Sequence, residues 1–353
     1  MSGSRRANVL GLGLIGGSLA KALRERGWYV TGDDQRADRS SEALERSIVD
    51  AVGLDSAAEL TVVATPVLSL ADQVKRALAE TDGFVTDVGS VKSAVASVED
   101  PRFVGGHPMA GSELEGLDGA DAAMFEGATW VLTPSASTSD ATFAFVAGVV
   151  AELGADVVAM SPERHDETVA VISHVPHLVA ASLMGLASER AEEHASLLRL
   201  AAGGFRDMTR IASGHPAIWL DICSQNSAAI VAGLDGLLRS LAEVRATIAE
   251  DDREALHRRL ARAREARANL PVRGARPDQL AEVRIPILDR PGGAAEIFTL
   301  AADLGVNISS FEVVHSAEGD RGVAVVLVDV ASADLYRGGL IARGFKPSVQ
   351  RLG

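Results

Sequence analysis

A single cysteine, Cys223, occurs in 353 residues. An internal disulfide is therefore excluded, and the usage fits a reducing compartment. Positive charge is also in short supply, with 34 Lys and Arg against 48 Asp and Glu and a formal net charge of −14. A field of that sign repels nucleic acid and anionic membranes in general. It leaves room for an anionic small molecule wherever a site supplies its own Arg, Lys, His or backbone N–H groups. No signal peptide is evident, since glycines interrupt the short apolar run after Arg5 and Arg6 at once. The most apolar later window, residues 143–160, contains Glu152 and Asp156 and is too short to span a bilayer. Low-complexity segments and long repeat arrays are missing too. These absences predict a cytoplasmic protein whose partners are neither nucleic acid nor membrane.

What is present is an ordinary globular mixture, 47% hydrophobic and 23% charged, over a length that predicts two or three domains. In residues 1–160 strand and helix alternate. "ANVLGLG" (7–13) reads as a strand ending in glycine, and "LIGGSLAKALRERG" has helical spacing through Leu19 and Leu23 to Gly27. "WYVTGDD", "LTVVATP" and "GFVTDVGS" are further strand candidates separated by helical windows, the pattern of an α/β Rossmann domain with a parallel sheet.

Residues 161–270 read as an all-α domain. Ser161-Pro162-Glu163 is a good helix start, and residues 217–250 lack proline and repeat apolar residues at helical intervals. Long helices of that kind suggest a dimerisation core. The basic run "REALHRRLARAREARA" (253–268) has mixed charges and no aromatic residue to stack on bases, so it reads as a solvated helix face. Residues 271–279 read as a linker. Residues 280–353 follow the order β-α-β-β-α-β, a ferredoxin-like α+β plan.

Gly11, Gly13 and Gly16 form G-x-G-x-x-G after a predicted strand and at the start of a predicted helix, with Leu14 and Ile15 inside the motif. Such glycines allow a tight turn and let backbone N–H groups approach a pyrophosphate. The second strand ends in Asp33-Asp34, where a carboxylate can accept from a ribose diol and repel a 2′-phosphate. NAD is therefore expected over NADP. Asp34 is preferred, although strand alternation leaves Asp33 open. Thr65 and Pro66, at the end of the third strand candidate, are counted with the cofactor site.

Chemistry-bearing residues then cluster in "TDVGSVKS" (86–93), "FVGGHPMAGSE" (103–113), "SHVPH" (173–177) and "AGGFRDMTRIA" (202–212). The glycines and proline around His107 predict a segment that fits neither a helix nor the centre of a sheet. Ser90 is expected just beyond a strand C-terminus, where α/β sheets hold ligands. His174 and His177 share one helix face, with Pro176 bending the helix between them.

These motifs, with "GLGLIGGSLA" and "MSPERHD", resemble the prephenate dehydrogenase (TyrA) family over residues 7–270. The resemblance implies a Rossmann domain followed by a helical dimerisation domain, and a homodimer. It implies NAD(P)-dependent oxidative decarboxylation of prephenate, or of arogenate, in tyrosine biosynthesis, with no metal required. By motif, His107 would be the catalytic histidine and Ser90 its partner. Arg210, His174, His177, His165 and Glu113 would serve the substrate. "ASGHPAIW" departs from the family, with His215 where Asp or Ser is frequent. A histidine at His177 suits a keto acid better than an ammonium group, which favours prephenate. Alternatives are arogenate, 4-amino-4-deoxyprephenate, or a non-catalytic NAD and amino-acid sensor.

"DRPGGAAEIF" and "LGVNISSFEV" resemble an ACT domain over residues 280–353. That resemblance implies a regulatory site near Asp289, Gly292 and Asn307, with tyrosine as the expected ligand.

Overall fold

A computed structural model describes residues 4–112, 114–193, 198–270, 279–288, 294–315 and 321–352. The chain divides into two compact units, Met1–Glu243 and Val244–Gly353. The first is built on a sheet of β1 (Arg6–Leu10), β2 (Tyr29–Asp33), β3 (Ala51–Val52), β4 (Leu60–Val63), β5 (Phe84–Asp87), β6 (Phe103–Pro108), β7 (Thr129–Thr133) and β8 (Asp156–Ala159). Their order is β3-β2-β1-β4-β5-β6-β7-β8. Neighbours are parallel except β6 and β7. Helices α1 (Leu14–Glu25), α2 (Ala37–Glu45), α3 (Leu70–Glu80) and α4 (Asp140–Glu152) connect the strands. Every residue of β4 is buried, as its unbroken run LTVV requires of a strand covered on both faces. In α1, Leu19, Ala20 and Leu23 bury a stripe, and Gly27 ends the turn beyond it at φ +82°. This is the expected Rossmann-like α/β domain.

The segment FVGGHP corrects the expectation that it could not form the centre of a sheet. It is β6, an interior strand between β5 and β7. Its glycines are needed because the neighbours crowd it. A Cβ on Gly105 would come within 2.4 Å of Thr133 Oγ1, and one on Gly106 within 2.6 Å of the Asp87 carbonyl oxygen. Pro108 closes the strand, where its missing N–H costs the ladder least.

Beyond β8 the unit is helical. Helix α5 (Pro162–Val169) starts as predicted, with Ser161 Oγ accepting from the Arg164 N–H. A π-helical turn, Ala170–His174, leads into α6 (Val175–Glu193). Then follow α7 (Gly203–Thr209), a 3₁₀ turn Arg210–Ser213, α8 (Pro216–Gln225) and α9 (Ser227–Ala249). His215 fills the N-cap of α8, its Nδ1 accepting from the Ala217 N–H at 3.2 Å. Helices α8 and α9 meet at 96° around Asn226. The helical run Pro162–Ala191 is long and apolar enough to cross a membrane by length and composition alone, which the earlier window at 143–160 did not anticipate. It carries His165, Asp166, His174 and His177 as buried groups of the unit. Leu186, Ile218, Leu220, Val231 and Leu238 leave an apolar surface uncovered on α6, α8 and α9.

In the second unit α10 (Arg253–Ala268) buries none of its residues, as a solvated face should. Strands β9 (Leu280–Leu288), β10 (Ile308–His315), β11 (Arg321–Asp329) and β12 (Ser348–Arg351) make an antiparallel sheet in the order β10-β11-β9-β12. Helix α11 (Ala295–Asp303) follows β9, and α12 (Val330–Ala342) follows β11. The core contains Val283, Ile285, Ile297, Leu300, Val326 and Tyr336. Tyr336 donates its hydroxyl to the Ile297 carbonyl at 3.0 Å, and burial pushes its pKa up to about 12. Asn307 is exposed just before β10, whereas Asp289, Gly292 and linker residues 271–278 lie outside the described residues.

Candidate active site

The sheet order places β1 beside β4, so the chain leaves these adjacent strands in opposite directions and opens a crevice at their C-terminal ends. The glycine turn lies there. Gly11 has φ +91°, and a Cβ on it would be 2.5 Å from the Ala64 carbonyl oxygen. A Cβ on Gly16 would be 1.9 Å from the Gly11 carbonyl oxygen, so the turn closes only over bare backbone. Gly13, the N-cap of α1, faces open space instead. Leu14 opens α1, and Ile15 packs against the main core. Thr65 follows β4 with its hydroxyl buried and lacking a protein partner, and Pro66 beside it is exposed. An open helix start, a closed glycine turn and an orphaned hydroxyl fit a dinucleotide.

The two acids after β2 divide. Asp34 Oδ2 accepts from the Leu12 N–H at 2.8 Å, and Oδ1 from the Arg36 N–H at 2.9 Å. Asp34 thus braces the glycine turn, with Arg39 3.7 Å from it. Asp33 pairs with Arg76 of α3 at 3.0 Å.

Ser90 follows β5, and His107 lies near the end of the parallel strand β6, so both reach the same sheet edge as the glycine turn. Among the described residues the hydrogen-bond partner of His107 is not Ser90. Its Nδ1 lies 2.9 Å from Nε2 of His165, whose Nδ1 lies 2.8 Å from Asp166 Oδ1. The expectation that His165 lines the substrate site is corrected by its 0% exposure, since it stands between His107 and Asp166. The Asp166 carboxylate also accepts from the Lys92 and Ser93 N–H groups, each at 2.8 Å. Burial pushes its pKa up, but these bonds and that of His165 outweigh burial and hold it below the usual value.

Beneath β5 and β6, Lys92 is wholly buried, bonded to the Asp87 carboxylate and the Gly106 carbonyl oxygen. Burial lowers the Lys92 pKa against the pull of Asp87. The pKa of His107 is pushed well below that of an ordinary histidine, first by burial, then by the Lys92 charge and the imidazoles of His165 and His174. His107 is therefore a neutral ring near pH 7.

The helical segment joins this cluster. Asn226, at the α8–α9 bend, donates to the Asp166 carbonyl oxygen at 2.9 Å and lies 3.3 Å from His174 Nδ1. Burial lowers His174 to about 4. Trp219 meets His174 edge-on and stacks on His177 at 3.5 Å between centroids. His177 bonds to the Ile211 backbone, in the turn that begins with the exposed Arg210. The structure thus brings His107, His165, His174, His177 and the Arg210 turn into one connected group. Glu113 lies outside the described residues. The sequence reading missed Asp87, Lys92, Asp166, Trp219 and Asn226. Asp166 adjoins His165 in "SPERHD" and Lys92 ends "GSVK", but both act through contacts that local spacing does not reveal.

The family model "Prephenate dehydrogenase, nucleotide-binding domain" matches residues 19–159, and "Prephenate dehydrogenase, dimerization domain" matches residues 161–262. Prephenate dehydrogenase of Bacillus subtilis is 35% identical over 334 residues, covering 89% of this chain and 90% of its own. The crystal structure of prephenate dehydrogenase from Aquifex aeolicus with hydroxyphenyl propionate and NAD+ superposes with a TM-score of 0.71 at 30% identity, over 77% of this chain and all of that one. Synechocystis arogenate dehydrogenase gives a TM-score of 0.65 at 32% identity, over 74% of this chain and 98% of its own. With a Rossmann-like domain shaped for a dinucleotide and these matches along most of its length, the chain belongs to the prephenate dehydrogenase family of NAD-dependent oxidoreductases.

Proposed function

We propose that this enzyme oxidises and decarboxylates prephenate to 4-hydroxyphenylpyruvate in tyrosine biosynthesis. The observation that carries the reading is His107, a neutral imidazole on the same sheet edge as the cofactor turn. Bound NAD+ supplies the hydride acceptor. His107 takes the proton of the substrate's C4 hydroxyl as the carbonyl forms there. The C1 carboxylate then leaves as CO2, its bonding electrons completing the aromatic ring, and the C4 oxygen takes a proton back to give the phenol and restore His107. Ser90 holds the reacting hydroxyl or the cofactor edge near His107, and Arg210 offers a planar fork to a substrate carboxylate. His177, held flat on Trp219, suits the keto-acid side chain. Glu113 is assigned to the site entrance by motif alone. Gly11, Gly13, Leu14, Ile15, Gly16, Asp34, Thr65 and Pro66 form the cofactor site.

The domains are assigned as residues 1–160, 161–270 and 280–353. The uncovered apolar surface of α6, α8 and α9 supports pairing of the helical domain into a homodimer. The strand order β10-β11-β9-β12 with its two crossing helices supports a ferredoxin-like ACT module. The Bacillus relative supports it too, since its aligned length is too great to end before this module. Tyrosine would be sensed there, near Asp289, Gly292 and Asn307. The cytoplasm is the assigned compartment.

Similarity to the Synechocystis enzyme makes arogenate the competing substrate. NADH formation with prephenate, arogenate and 4-amino-4-deoxyprephenate, each with and without tyrosine, tests both halves. Preference for prephenate with a tyrosine effect supports the whole reading. A preference for either amino substrate overturns the substrate assignment, and indifference to tyrosine overturns the regulatory one.

A further inference from the structure

The groups facing His107 are Lys92 from the loop after β5, His165 and Asp166 from α5, and His174 from the π-helical turn. Among the described residues, only His165 bonds to its ring. We propose that Asp166 and His165 form a relay that fixes the tautomer of His107, leaves its Nε2 as the proton acceptor, and spreads the charge that forms there. This rests on the reading of His107 as the base of the reaction.

The direction of the relay follows from donor counting. Asp166 accepts two backbone N–H bonds, one on each oxygen, so it is held as an acceptor-only carboxylate. His165 Nδ1, 2.8 Å away, must then be the donor. A neutral imidazole has one donor and one acceptor, so His165 Nε2 is an acceptor. His107 Nδ1, 2.9 Å from it, must donate in turn. The remaining nitrogen of His107 is left with a lone pair. Among the described residues Nε2 of His107 has no protein partner, so that lone pair is available to a ligand.

Proton transfer breaks the substrate O–H bond and forms an N–H bond at His107 Nε2. The His107–His165 bond then becomes charge-assisted and stronger. Its proton can shift towards His165, whose other nitrogen already points at a carboxylate. Asp166 and His165 act through His107 and are positioning residues. Asn226 supports them by bonding the Asp166 carbonyl oxygen across the α8–α9 bend.

The test uses the purified full chain with NAD+ and whichever cyclohexadienyl substrate it turns over. Nitrogen-15 NMR of the histidine rings should show His107 protonated on Nδ1 and not on Nε2 near neutral pH. Asp166→Asn should cut kcat by about a hundredfold or more while KM and NAD affinity stay within about threefold. His165→Gln, which keeps an acceptor towards His107, should retain at least about tenfold more turnover than His165→Leu. A His107 ring protonated on Nε2 overturns the proposal, as does unchanged kcat in these variants. So does equal loss in His165→Gln and His165→Leu accompanied by weakened NAD binding, which marks a merely structural role. Absence of turnover in the wild type would instead overturn the catalytic reading, and the NMR result would still decide the tautomer.

Discussion

Replacing Lys92 with methionine removes one charge from a wholly buried pair while keeping the volume of the side chain nearly constant. The Asp87 carboxylate would lose its ammonium partner but keep the Gly89 N–H at 2.8 Å and the Gly106 N–H at 3.2 Å. Breaking a buried pair on one side costs about 3–5 kcal/mol. The two remaining donors place this case near the lower end. About 3 kcal/mol corresponds to a fall in Tm of about 6–12 °C for a unit of this size. Adding Asp87→Leu removes the stranded charge but leaves two buried N–H groups without an acceptor, each costing about 1–3 kcal/mol, so the double variant should recover only in part. A second readout comes from His107, whose pKa Lys92 helps to depress. As the proposed base, His107 must be unprotonated to act, so activity should fall as pH drops through its pKa. Removing the cation raises that pKa and moves the acid limb of kcat/KM to higher pH. Calorimetry and a pH–rate profile check the two effects. A Lys92→Met protein melting within about 2 °C of wild type would refute the energetic argument. An unmoved acid limb would refute the electrostatic one.

Gly16→Ala should lower both Tm and NAD affinity, because its Cβ meets the Gly11 carbonyl oxygen at 1.9 Å. Gly13→Ala meets no protein atom within 4 Å, so it should weaken NAD binding by titration calorimetry while leaving Tm unchanged. Asp34→Ser should raise the ratio of NADP to NAD kcat/KM by about tenfold or more, since a 2′-phosphate is no longer repelled; an unchanged ratio would remove Asp34 from cofactor selection. His174, lowered from 6.5 to about 4, binds fewer protons folded than unfolded across that window. Stability is therefore full above 6.5 and falls on acidification towards 4, by on the order of 3 kcal/mol. Urea unfolding should show that slope flattened in His174→Gln.

The parts of this protein that were legible in advance are those encoded locally. The glycine turn announces itself because its three glycines stand at a fixed short spacing between a strand and a helix, although the crowding of Gly11 comes from Ala64, remote in sequence. The Ser161 N-cap, the solvated α10 and the succession of strands and helices along the last module follow likewise from short-range pattern. Strand β6 was not legible because its glycines answer to Thr133 and Asp87, residues remote in sequence. Propensity alone reads such a segment as loop, and tertiary crowding reverses it. The His107–His165 contact joins residues 58 apart, and Asn226 reaches Asp166 from 60 residues away. His165 was assigned to the substrate by motif, but only packing reveals that it stands one ring behind. Asp33 and Asp34 could not be separated until Arg76 and the Leu12 N–H claimed one each.

The measurement to make first is the turnover of wild type and His107→Ala with prephenate, beside the NAD affinity of each. His107 as the proton acceptor predicts that kcat falls by at least about a hundredfold while NAD binds as before. Undiminished turnover in His107→Ala would contradict the assigned chemistry.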